Sequence, residues 1–326
     1  MQMDIKAIKD DIKTEWAQFE ELIQKILWSD CNLLNQINSH LFDYKGKQIR
    51  PLLGLLAAKS CGKVNSLTIS CAVASEMLHT ASLLHDDVAD DAPQRRGADT
   101  VQHKYNPAAA VLTGDYWLAK SLTLLIKEKD MTVLDYFTKT VEELSEGELF
   151  QMQKAASLDT TEEDYYRIIA YKTSSLFISA IKSTVYSTGA SKETIENMER
   201  YAYNLGLAFQ IRDDIFDYTP QLKTGKPSGG DIKEKKLTLP IIAALNSASS
   251  DEREDMLREI RLAQPDDDKL VEKAFALVKK YNGVDVAQRA LDDHCKRAEE
   301  SLNGLKPSIY KNHLMELTRY MGSREI

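Results

Sequence analysis

The sequence predicts an all-α protein, a single helical domain over residues 1–326, and three observations carry that reading. Apolar residues recur at three- and four-residue intervals through almost the whole chain. Only 14 glycines and 8 prolines interrupt 326 residues, which favours long helices joined by short connections. No stretch alternates apolar and polar residues as a half-buried strand would, and no linker divides the chain.

The elements follow in order. Residues 3–28 and 31–42 read as amphipathic helices, and DYKGKQIR (43–50) as a polar loop. Pro51 suits the first position of a helix over 51–60. The next helix runs from Ser66 to about Asp90, and its middle, SCAVASEMLHTASLLH, is apolar or small on every side, so it belongs at the centre. Pro93 biases Ala92 away from helical geometry, so this helix stops near Asp91. A loop covers 92–107. Helices follow over 107–127, 131–157, 161–188 and 191–218. Residues 219–236 are the Gly/Lys-rich break of the second half and read as a mobile loop, before four or five shorter helices over 238–322.

Composition narrows the function. With 42 basic and 50 acidic residues the net charge is -8, which speaks against a nucleic-acid partner and fits a cytoplasmic protein. Cys31, Cys61, Cys71 and Cys295 form no CxxC pair and read as thiols of a reducing compartment, without a zinc site. No 18-residue apolar run is evident, so no transmembrane segment is expected, and MQMDIKAIKDDIKTEW is not a signal peptide.

The chemistry is concentrated in HTASLLHDDVADDAPQRRG (79–97). On a helix Asp86 and Asp90 share a face, with Asp87 on its flank. These acids occupy a helix C-terminus, where the dipole disfavours anions and cations are wanted. Magnesium takes one or two carboxylates and keeps other positions for phosphate and water. A second copy, AFQIRDDIFDYTP (208–220), repeats the spacing at Asp213, Asp214 and Asp217, and a proline falls three residues after the last matched acid in both copies. One such cluster reads as a solvated helix end; two with matching flanks point to a metal cluster held across one cavity.

Basic residues stand beside loops and acids: Lys45, Lys47 and Arg50; Arg95 and Arg96; Lys172; and Lys223, Lys226, Lys233, Lys235 and Lys236. Together with the acids they describe a polyphosphate site, Arg by bidentate forks and Lys by point charge. Neither GxxxxGK(S/T) nor GxGxxG is present, so a nucleotide is not indicated. Apolar helical walls around such a site suit a small apolar molecule carrying a diphosphate.

In GKQIRP (46–51), HTASLLHDDVAD (79–90), RRG (95–97), GDYW (114–117), KT (172–173), FQIRDDIFD (209–217), GKP (225–227) and GGDIKEKKLTLP (229–240), the sequence resembles the trans-type isoprenyl diphosphate synthases, or polyprenyl synthetases. The resemblance implies a helical bundle of the isoprenoid synthase type around a central cavity. It implies that Asp86, Asp87 and Asp90 form a first metal motif and Asp213, Asp214 and Asp217 a second, with three Mg2+ around an allylic diphosphate. Arg95, Lys172 and Lys226 are implied as its ligands. Lys47, Arg50, His79 and Arg96 are implied for isopentenyl diphosphate, with Lys236 in a lysine position of the loop. Thr173 and Gln210 match positions that line the reacting carbons. His79 alone reads as a core residue; the resemblance lifts it. His85 reads as structural, capping or orienting Asp90, and the histidines of an HD-type phosphohydrolase are not in place. Two departures, Gly229-Gly230-Asp231 for an acidic GDD-type run and Lys235 for a glycine, fall in the loop. The family also implies a homodimer.

Product length is expected to follow from the wall below Asp86. Ala81 and Ser82 are small where short-product members carry an aromatic, and Leu78, Met77 and Ala74 continue the same face upward. An isoprene unit spans about three residues of helix at ~1.5 Å each, so one blocked turn costs about one unit. The expected product exceeds four units; a geranylgeranyl or farnesyl diphosphate synthase is the alternative. A terpene synthase or hydrolase would not need Lys47, Arg50, His79 and Arg96, and a non-catalytic subunit would be expected to lose acids from one motif; both are intact.

Overall fold

The computed structural model describes residues 4–219, 228–264 and 267–322. Helices α1 (Ile5–Asp10) and α2 (Lys13–Leu27) divide the segment expected to be one helix, because Asp11 and Ile12 form a turn. After α3 (Asn32–Asp43), helix α4 (Ile49–Cys61) begins two residues before Pro51. Gln48, left-handed at φ 55°, sets its start. Helix α5 (Ser66–Ala89) opens on a reciprocal cap between Asn65 and Thr68, and every residue from Cys71 to Leu78 is buried.

The loop expected over 92–107 has structure of its own. Gln94–Arg95 pairs antiparallel with Ala98–Asp99, and α6 (Val101–Lys104) follows. Arg96 (φ 55°) and Gly97 (φ 76°) form the two-residue turn of this hairpin, a conformation that glycine accepts without strain at its second position. Two residues per strand are too few to register as an alternating pattern.

Helices α7 (Pro107–Glu128), α8 (Met131–Ser157) and α9 (Glu162–Ile169) lead to the main departure from regularity. The helix expected over 161–188 is broken at Ala170–Ser174 by a π turn, after which α10 (Ser175–Ser187) resumes. Then come α11 (Lys192–Asp217), the short α12 (Gly230–Lys233) inside the segment expected to be loop, and α13 (Leu239–Ser247), α14 (Ser250–Leu262), α15 (Asp268–Lys280), α16 (Gly283–Ser301) and α17 (Ile309–Gly322).

Helix α10 packs against α4, α5 and α11, while α7 covers the other side of α5 and α16 that of α11. The two long helices that carry the acids are thus walls of one bundle. By length and hydropathy Ser66–Ala89 passes the test for a membrane span, which the sequence expectation missed; 72% of its apolar window is buried inside the protein. That is the signature of a central core helix.

Candidate active site

The first acid motif is shaped by how α5 ends. The Ala92 N–H bonds the Asp87 carbonyl at 2.9 Å and the Asp91 N–H bonds that of Val88 at 3.4 Å, with Asp91 left-handed at φ 47°. This closure, with Pro93 beyond it, satisfies the last carbonyls and turns the chain into the hairpin. Arg95 therefore folds back onto the helix it follows: its Nε donates to Asp87 Oδ1 at 2.6 Å. Asp87 is buried, Asp86 half-buried and Asp90 exposed. Burial raises the Asp86 carboxyl to about 6, opposed by Lys172 and reinforced by Glu148 and Asp90. His85 leans away from Asp90, towards α7, with Nε2 3.2 Å from Asp115 Oδ1; the expected contact with Asp90 is not made.

The π turn faces this motif. Lys172 pairs with Glu148 and donates to Gln151 Oε1 at 3.1 Å, both on α8. Thr173 Oγ1 donates to Gln210 Oε1 at 2.8 Å, and Gln210 Nε2 donates to Asp214 Oδ1 at 2.9 Å. A fourth member, Tyr165, donates from its hydroxyl to Asp214 Oδ2 at 2.5 Å. Burial raises the Asp214 carboxyl, opposed by these two hydrogen bonds.

The second motif thereby divides its three acids, which the sequence treats as equivalent. Asp214 is buried with both oxygens committed to Tyr165 and Gln210. Asp217 accepts the backbone N–H groups of Gly230 (3.0 Å) and Asp231 (3.1 Å), capping α12. Asp213 is the exposed one, and its charge is felt by Arg50. Lys236 links the two motifs: its Nζ lies 4.0 Å from Asp90 Oδ1, and it lines one hollow with Lys172, Thr173, Gln210, Asp214 and Asp231.

A second polar cluster lies where α4, α5 and the hairpin meet. Arg50 is half-buried with its guanidinium 4.7 Å from the Phe177 ring centroid. Glu76 is buried, its carboxyl raised by burial and pulled back by Arg50 and Arg96. Burial lowers Arg50 to about 10. Burial, then Arg50 and Arg96, hold His79 well below the ordinary histidine range, so its imidazole is neutral. Among the described residues, Arg50 Nε, His79 Nδ1, Gln48 Oε1 and Glu76 Oε2 are buried without a hydrogen-bond partner. Buried polar atoms of this kind are costly unless a water, ion or ligand completes them. Gly46 is pressed against Arg96: a Cβ there would lie 2.5 Å from the guanidinium carbon. Lys47 is exposed, its Nζ 5.7 Å from the Tyr320 ring centroid.

Other basic residues point elsewhere. Lys45 pairs with Glu20 (2.8 Å), Lys233 with Asp268 (2.7 Å), and Lys235 donates to the Arg261 carbonyl (3.0 Å). Lys223 and Lys226 lie outside the described residues. The residues expected to set product length divide between two core clusters. Ala74 and Leu78 pack with Cys71, Leu125, Val133, Phe137 and Leu176, whereas Met77 and Ala81 belong to the main core. Residues 74, 78 and 82 form one row along α5 and 77 and 81 another, because four-residue steps stay on one line while three-residue steps change it. Ser82 is half-buried, its hydroxyl bonded to the His79 carbonyl at 2.9 Å.

Among the described residues no three His, Cys, Asp or Glu side chains gather closely enough to bind a metal unaided. The donor set at the acid motifs is nonetheless all oxygen, and burial raises the Asp86 carboxyl, with Glu148 and Asp90 adding to it. Both suit a hard cation that completes its shell with phosphate and water.

Residues 31–278 match the polyprenyl synthetase family. The chain belongs to that family. It is 35% identical over 322 residues to the all-trans-nonaprenyl-diphosphate synthase (geranyl-diphosphate specific) of Rhodobacter capsulatus, covering 98% of each chain. Its fold is similar to a decaprenyl diphosphate synthase from Rhodobacter capsulatus, with a TM-score of 0.93 and 32% identity over 98% of this chain and 99% of that one. A polyprenyl synthase from Caulobacter crescentus, complexed with calcium and isoprenyl diphosphate, aligns with a TM-score of 0.90 and 29% identity over 99% and 98%. As a polyprenyl synthetase the protein is a trans-prenyltransferase of the long-chain type, and the shorter-chain alternative is disfavoured. Sequence reasoning missed Glu76, Glu148 and Tyr165: a single Glu or Tyr on a helix carries no signal until its partners are placed.

Proposed function

We propose that residues 1–326 form one polyprenyl synthetase domain that uses magnesium, three ions per site, to join isopentenyl diphosphate to an allylic diphosphate. The observation that carries this reading is the lysine that bridges the two acid motifs. Lys236 reaches Asp90 of the first motif and lines the same space as Asp214 of the second and Lys172, whose charge acts on Asp86. Asp86, Asp90 and Asp213 are the metal ligands. Asp87 holds Arg95 for the allylic diphosphate, Asp214 holds Gln210, and Asp217 holds the loop that returns Lys236. Lys226 is assigned with Lys172 to the same diphosphate.

Bound magnesium supplies the positive charge that neutralises the departing diphosphate. Around it the chain's own groups orient the reactants. Lys47, Arg50, His79 and Arg96 hold isopentenyl diphosphate, whose oxygens would meet the orphaned Arg50 Nε and His79 Nδ1. Thr173 and Gln210, fixed to each other at 2.8 Å, line the reacting carbons. The allylic C–O bond breaks, both electrons leaving with the diphosphate. The isopentenyl double bond attacks the cation, and the proton lost in re-forming a double bond goes to the departed diphosphate. The apolar wall of α5 keeps water from the cation. Ala81, Ser82, Leu78, Met77 and Ala74 set the depth available to the chain.

The protein is further assigned to the cytoplasm as a homodimer. Val111 and Leu112 on α7, and Leu149 and Met152 on α8, are large apolar residues left exposed, which a second copy would cover. In the test, Asp86→Asn and Asp213→Asn each lower transfer of labelled isopentenyl units to farnesyl diphosphate by about 10²–10³-fold at unchanged melting temperature. Parental rates in either variant would refute the shared site.

A further inference from the structure

The π turn at Ala170–Ser174 is pressed between two glycines. On α11, a Cβ at Gly206 would lie 2.6 Å from both Ser174 Cα and Ser174 Oγ. On α8, a Cβ at Gly147 would lie 2.8 Å from Tyr171 Cβ and 3.1 Å from Lys172 Cγ. Real Cβ atoms do not approach within 3.0 Å, so neither position accepts alanine unless the turn or a helix moves. Glycine is a poor residue for a helix interior. Two of them facing the same five residues therefore need a reason outside their own helices, and close approach is that reason.

The turn is tied as well as squeezed. Ser174 Oγ donates to the Tyr203 carbonyl on α11 at 3.2 Å, and Ser175 Oγ donates to the Tyr171 carbonyl at 2.5 Å. A π turn inserts one residue into the helical register and swings the side chains it carries. Here it carries Lys172, held by Glu148 and Gln151, and Thr173, held by Gln210.

We propose that Gly147 and Gly206 are positioning residues: they clamp the π turn so that Lys172 and Thr173 meet the allylic substrate in the geometry needed for ionisation. The proposal rests on the assignment of those two side chains given above. The glycines touch no substrate and act only through the turn. An ångström-scale shift of oriented groups costs on the order of 100-fold in rate.

The test uses the full-length enzyme with magnesium, farnesyl diphosphate and labelled isopentenyl diphosphate. Gly206→Ala is expected to lower kcat by about 100-fold and Gly147→Ala, which meets mainly side-chain atoms, by about tenfold. KM for isopentenyl diphosphate stays within about twofold, since its assigned ligands lie on α4, the segment just before it, α5 and the hairpin. Gly62→Ala, whose Cβ would lie 2.9 Å from Thr188 Cβ at the far end of α4, is the control for a tight glycine away from the site and keeps the parental kcat. Folded Gly206→Ala and Gly147→Ala enzymes with kcat within about twofold of the parent would overturn the proposal. So would a rise in KM for isopentenyl diphosphate matching the fall in kcat. If Gly206→Ala does not fold, Gly147→Ala decides. Thr173→Val separates the two levels: if it retains kcat, the role given to the turn fails; if it loses kcat while both alanine variants keep theirs, only the clamp fails.

Discussion

Arg50 shows how much of the site a single residue expresses. Its guanidinium lies against the Phe177 ring, Glu76 and Arg96 act on its charge, and among the described residues its buried Nε has no partner. A planar fork and a point charge are not equivalent there. Arg50→Lys is expected to raise KM for isopentenyl diphosphate by about 10–100-fold, or about 1.4–2.7 kcal/mol, with kcat little changed. Steady-state kinetics decide, and an unchanged KM would remove Arg50 from the pocket. At this scale the sequence was legible where a residue sits in a dense motif. Arg50 stands in GKQIRP and Gln210 in FQIRDD. Tyr165 was not legible: its partner Asp214 is 49 positions away, and a tyrosine in an acidic turn is ordinary. The unequal fates of Asp213, Asp214 and Asp217 were hidden for the same reason, since spacing fixes a helix face but not what packs against it.

The elements divide along similar lines. Long helices with strong periodicity, such as Met131–Ser157, stand where the pattern places them. The π turn does not appear in the pattern, because its five residues are too few to carry a periodicity of their own. Nor does the split of the α5 wall into two rows. That split sharpens the product-length expectation. Phe137 is buried beside Leu78 and Ala74, and Phe137→Ala is expected to lengthen the product by about one unit at a cost of about 3–5 kcal/mol in stability. Ala81→Phe is expected to shorten it to about three or four units. Chromatography of the dephosphorylated products checks both, and an unmoved ladder in both would show that α5 does not set length.

Far from the site, α14 is stapled to the end of α15 through Glu252. It accepts from Lys280 Nζ (2.5 Å), Tyr281 Oη (2.7 Å) and Ser249 Oγ (2.9 Å). These hydrogen bonds hold its carboxyl at about 2, below the usual 4.5. A depressed acid stabilises above its unfolded pKa, and that contribution is lost as pH falls through the folded one. Glu252→Gln should therefore flatten the fall in melting temperature between about pH 4.5 and 2. Parallel melting curves for variant and parent would contradict the staple.

Over the whole molecule, one apolar helix of 24 residues, about 36 Å long, forms the spine, with its acids at one end. The sequence disclosed this spine because its composition is apolar on every side; it did not disclose the neighbours that bury it. The most direct measurement is the mass of the product formed from farnesyl diphosphate and isopentenyl diphosphate with magnesium. The account predicts a lipid-soluble all-trans polyprenyl diphosphate of more than about four units. Release of diphosphate without incorporation, or a product that stops at or below that length, would contradict it.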